Sequence, residues 1–66
     1  MTHFAIAVLE QLRFGNVWDG NLVSKRGRTE LIELGLAQRN AQGMNALTHK
    51  GQQRSYLLAR GNETRH

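Results

Sequence analysis

Lys25, Arg26 and Arg28 follow directly on Ser24, a residue type that caps helix N-termini. Cations in that position are suited to holding anionic oxygen, because free backbone N–H groups and the positive end of the helix dipole point the same way as the side chains. Without an anion, each cation there costs the helix about a few tenths of a kcal/mol. The two acids of the segment, Glu30 and Glu33, lie toward its other end, so its charge runs against the dipole. A solvated helix with an Arg26 to Glu30 pair is the plainer reading, and such a pair contributes little. The placement favours a helix start at which Lys25, Arg26 and Arg28 meet phosphates or base edges.

Other chemistries find little material. The histidines, His3, His49 and His66, fall in three separate segments without a Cys companion, so no metal ligand set is expected and surface positions explain them. Ser24 and Ser55 have no adjacent base to activate them, and the glycines sit at expected stops and turns rather than in a phosphate loop after a strand. Neither catalysis nor a cofactor is expected. Nine Lys and Arg against five Asp and Glu give a formal charge of +4 and a pI near 10.8, which favours a polyanionic partner. With no cysteine among 66 residues, disulfides and Cys-rich zinc sites are ruled out as staples for a thin core, and self-association is the remaining source of stability. The apolar run Phe4 to Leu9 is too short for a membrane span and has no basic region before it, so neither a membrane helix nor a signal peptide is expected and the cytoplasm is the expected compartment. Asn62-Glu63-Thr64 fits a glycosylation sequon that a cytoplasmic chain would not use.

The elements that must position the cations are read from periodicity and caps. Thr2 precedes a helix with Phe4, Val8 and Leu12 on one stripe and Ala5 and Leu9 beside it, ending near Phe14 because Gly15 offers a left-handed stop. Ile6 and Phe14 fall off that stripe, either as scattered surface apolars or as a second face for a partner chain. In Asn16 to Val23, Asp19-Gly20 between apolar pairs is a short-hairpin signal, although a tight loop feeding one strand or a reduced helix fits the same residues. Trp18 is expected as a core plug, with base stacking as the alternative. Ser24 caps a helix over about Lys25 to Leu34 with Gly35 as its stop, placing Gly27, Leu31, Leu34 and the Arg28 stem on one side and Lys25, Arg26, Thr29, Glu30 and Glu33 on the other. Two alternating runs around Gly43 pair as a hairpin, with Gly43 left-handed. Thr48 caps a last helix in which Gly51 permits close backbone approach and Tyr56, Leu57, Leu58 and Ala59 crowd the second half. Gly61 is expected to end it, so the expected organisation is one domain over residues 1–60 and a flexible tail over 61–66.

The run LIELGLAQRNAQGMNALTHKG resembles the end of a winged-helix DNA-binding domain of the MarR-like and PadR-like bacterial regulators: a recognition helix, a leucine-glycine-leucine stop, a strand with Arg39, a glycine-containing wing, and a second strand closing in Leu47-Thr48-x-Lys50-Gly51. The chain also resembles short phage-encoded proteins with a W-x-G-x-L-x-S-K-x-G-R core. The likeness covers Ser24 to Gly51. It implies a helix offered to the major groove with a wing beside it, in a protein of transcription regulation. Between Leu22 and Gly35 there is room for one helix where a full helix-turn-helix needs two, so one helix is missing or reduced. The wing tip, Asn40-Ala41-Gln42-Gly43, carries amides and no cation, with Arg39 one residue behind.

The expectation is an α+β domain of winged-helix type, in the order helix, short strand or hairpin, helix, two-stranded wing, helix. Two functions of different class follow. In one, a homodimer binds double-stranded DNA through Lys25, Arg26, Arg28, Arg39, Asn40 and Gln42. In the other, a phage-type module binds and modulates a host protein through the same face or through apolar residues. Ile6, Phe14, Trp18, Tyr56, Leu57 and Leu58 are the candidates for the partner or dimer surface.

Overall fold

A computed structural model describes residues 1–64. Helix α1 spans His3–Arg13, strand β1 Val17–Trp18, a single 3-10 turn Asp19–Asn21, helix α2 Lys25–Glu33, strands β2 Ala37–Arg39 and β3 Met44–Leu47, and helix α3 His49–Thr64. This is a small α+β fold, three helices on a three-stranded antiparallel sheet of order β1-β3-β2. The arrangement is compatible with a winged layout.

The caps lie where the residue types place them. Thr2 and Ser24 accept hydrogen bonds from the backbone N–H of Ala5 and Gly27, and Thr48 accepts one from Gly51. Gly15, Gly35 and Gly43 take positive φ, the conformation that lets a chain leave a helix or close a tight loop. The core unites Ala5, Val8, Leu9 and Leu12 of α1 with Leu31 of α2, Leu36 just before β2, Ala37 of β2 and Leu47 of β3. Two glycines let backbones meet. A Cβ on Gly27 would strike the carbonyl of Phe4, and one on Gly51 would strike the carbonyl of Leu36. These contacts set α2 against α1, and the first turn of α3 against the end of the α2–β2 loop.

Several expectations are corrected. Asp19-Gly20 is not a hairpin turn. Val17 and Trp18 pair instead with Asn45 and Met44 of β3, a partner far along the chain, and Gly20 has ordinary φ in open space. Trp18 is 49% exposed rather than a core plug, because pleat alternation turns Val17 toward the core and Trp18 to the opposite face. Leu34 is the α2 C-cap and points outward, 44% exposed, while Leu36 takes the core position. Leu58 packs against the core, so the exposed apolar part of α3 is Tyr56 and Leu57. Gly61 does not stop α3, which continues to Thr64; one glycine lowers helix stability by about 1 kcal/mol without ending a helix. The rest of the expected tail, residues 65 and 66, lies outside the described residues. No helix of the described residues is long and apolar enough to cross a membrane.

Substituting the glycines should separate these roles. Gly27→Ala and Gly51→Ala should each destabilise by about 1 kcal/mol or more, since a backbone must shift to admit the methyl group. Gly43→Val should exceed about 1 kcal/mol as well, while Gly20→Ala should stay within about 0.5 kcal/mol. Urea unfolding of the four variants checks the order, and equal midpoints for Gly51→Ala and Gly20→Ala would contradict the close approach.

Candidate functional site

Two of the expected site residues, Arg28 and Arg39, are gathered on one carboxylate, Asp19, that sequence reading assigned to a turn. Asp19 follows β1 and sits against the wing, where its backbone N–H donates to the Gly43 carbonyl at 2.9 Å. Its Oδ1 accepts from Arg28 Nη1 of α2 at 2.9 Å and from Asn45 Nδ2 of β3 at 2.8 Å. Its Oδ2 accepts from Arg39 of β2, from Nε at 2.8 Å and from Nη2 at 2.6 Å. Three elements thus converge on one side chain. Arg39 and Asn45, with the charges of both arginines, hold its carboxyl far below the usual carboxylate range, and Asp19 in turn raises the Arg39 guanidinium. Asn45 is fully buried, and its Nδ2 also reaches the carbonyls of Val17 and Gly43, which fixes the orientation of the amide.

The three cations of the α2 start therefore have three different situations. Arg28 is bound to Asp19. Arg26 lies over the Phe4 ring, 4.9 Å from its centroid, and is exposed. Lys25 is exposed and lines a shallow groove of about 300 Å³ together with Asp19, Arg28, Thr29, Ile32, Glu33 and Arg39. The Arg26 to Glu30 pair is replaced by a longer-range contact. Glu30 accepts from the Thr2 hydroxyl at 2.7 Å and from the Thr2 backbone N–H at 2.9 Å, closing the start of α1, and these two bonds lower its pKa. Of the two acids on α2, only Glu33 faces the groove.

The wing residues also divide. Asn40 turns its Oδ1 into its own loop, accepting from the N–H groups of Gln42 at 3.0 Å and Met44 at 2.9 Å, so this oxygen is structural. Gln42 is exposed at the tip. Arg39 belongs to the root of the wing, beside α2, rather than to its tip. A cluster of Asp19, Asn45 and Gly43 carried no signal in sequence, since it joins residues far apart in the chain that share no periodicity. His3 lies against Phe4 at the start of α1 and His49 against Gln53 at the start of α3, while His66 falls outside the described residues.

Comparison with known proteins found no match among family models, curated proteins or solved structures.

The Asp19 cluster has a pH signature. A carboxylate whose pKa is depressed in the folded state contributes stability that is complete above its unfolded value near about 4 and is lost as pH falls below that value. The melting temperature should therefore drop steeply below about pH 4. Asp19→Asn should be less stable at neutral pH and show a shallower acid decline, the remaining slope coming mainly from Glu30. Parallel acid profiles for the variant and the wild type would show that Asp19 is not the linked group.

Proposed function

We propose that the chain is a small non-enzymatic module that binds duplex DNA, with α2 directed at the major groove and the β2–β3 wing beside it, as in a winged-helix transcriptional regulator. One observation carries this reading: Lys25 and Arg26 remain exposed at the start of α2, next to a groove whose wall is formed by Arg28 and Arg39 fixed on Asp19. Lys25 and Arg26 meet phosphates, where the helix dipole adds to their charge. Arg28 and Arg39 spend part of each guanidinium on Asp19 and turn their remaining N–H groups to the same strand. Gln42 reaches the neighbouring groove edge, and Asn40 shapes the loop that presents it. Self-association through Tyr56 and Leu57, 59% and 62% exposed on α3, supplies the second half-site that symmetric DNA-binding dimers use.

A protein partner is the second reading, favoured by Phe14 and Trp18, which are 83% and 49% exposed. Salt separates the two, because counterion release makes DNA affinity fall steeply with salt and an apolar contact responds weakly.

Fluorescence anisotropy with random duplex DNA at two salt concentrations tests the first reading. Lys25→Ala with Arg26→Ala should weaken binding to all sequences and flatten the salt slope by about one unit per lost phosphate contact. Absence of duplex binding at low salt, or wild-type affinity in the double variant, would overturn it. For self-association, sedimentation should show a concentration-dependent dimer that Tyr56→Ser with Leu57→Ser converts to monomer; a monomer at every concentration refutes that part alone.

A further inference from the structure

The groove beside α2 contains an apolar patch that phosphate binding does not use. Lys25, Thr29 and Ile32 stand at i, i+4 and i+7, one stripe on the outward side of the helix. Ile32 is 40% exposed there. The Thr29 hydroxyl donates to the Lys25 carbonyl at 3.1 Å, so it has no proton left to give a base edge, while its methyl group is available for apolar contact. Long cationic side chains flank these two short ones: Lys25 lies toward the helix start, and Arg28 and Arg39 stand beside Asp19, whose charge they neutralise. In a helix laid in the major groove, long flanking cations reach the backbone while short central residues meet the base edges.

The only apolar group on the major-groove edge of the four ordinary base pairs is the thymine 5-methyl. We infer that Thr29 and Ile32 form a thymine-methyl contact, which makes the preferred ligand A·T-containing DNA rather than double-stranded RNA. RNA fails on two counts, having uracil in place of thymine and a major groove too narrow for a helix. Glu33, the remaining acid of the groove, is repelled by phosphate and suits an exocyclic base amine, the N4 of cytosine or its equivalent on adenine. The inference rests on the duplex-binding reading above.

The test compares an alternating adenine-thymine duplex with the same duplex carrying deoxyuridine at every thymidine, a change that removes the methyl groups from the major-groove edge and leaves the base-pairing groups unchanged. Wild-type protein should bind the uracil duplex about fourfold more weakly per contacted methyl, the factor expected when one methyl-sized apolar group loses its contact. Ile32→Ala and Thr29→Ser should narrow that ratio toward one while keeping the salt slope, with circular dichroism confirming that both variants fold. Equal wild-type affinity for the two duplexes, with duplex binding intact, would overturn this inference and leave the proposed function standing. A ratio that persists in both variants would overturn the assignment to these residues, and a wild type that binds no duplex at low salt would overturn both proposals.

Discussion

The Asp19 carboxylate is the interaction on which the fold and the candidate site both depend. It receives Arg28 from α2, Arg39 from β2 and Asn45 from β3, and its own N–H is bonded to the wing. Strand β1 is two residues long and could not hold its place by ladder hydrogen bonds alone. The carboxylate also lies over Gly43, where an added Cβ would come within 2.9 Å of Oδ2, so the glycine serves the loop conformation and the ion pair together. The Arg28 side chain is 19% exposed, and losing Asp19 would leave a largely desolvated cation without its partner. Two arginines that composition alone would count as free are thus first structural, and any ligand of this face meets them already oriented.

What could be read from the sequence is the local part of the structure. Thr2, Ser24 and Thr48 signal helix starts and Gly15 and Gly35 signal stops because capping acts over three or four residues, and the Gly43 loop follows from the same short-range logic. What could not be read is what chain neighbours do not decide. Asp19-Gly20 carries a hairpin signal, yet Val17 and Trp18 find a better partner in Met44 and Asn45, and that pairing turns Trp18 outward. Glu30 falls on the same outer side of the helical wheel as Arg26, with a pair between them as the plainer reading, and instead closes the start of α1 through Thr2. At the candidate site, the helix start was legible from Ser24, while the capture of Arg28 and Arg39 by Asp19 was not.

These long-range contacts change how the charge on α2 works. With Glu30 committed to Thr2, the acid that would most oppose an anion near the cationic start faces away from the groove. With Asp19 shared between two arginines, its charge is neutralised on the spot. The exposed positive charge of α2 is then concentrated on Lys25 and Arg26, at the end of the helix where the backbone also carries its positive pole.

The strand order also governs when the molecule can assemble. The middle strand, β3, is the last of the three in the chain, so neither β1 nor β2 has a hydrogen-bonding neighbour until Met44–Leu47 is available. Without β3, the segment up to Gly43 has two helices able to meet through Gly27 and no sheet at all, with Asp19 lacking Asn45. A few further residues then supply the hairpin, the third strand and the buried amide in a single closing event. Sheet formation thus depends on one strand of four residues, and a chain in which β3 cannot pair is left with both β1 and β2 as unpaired edges.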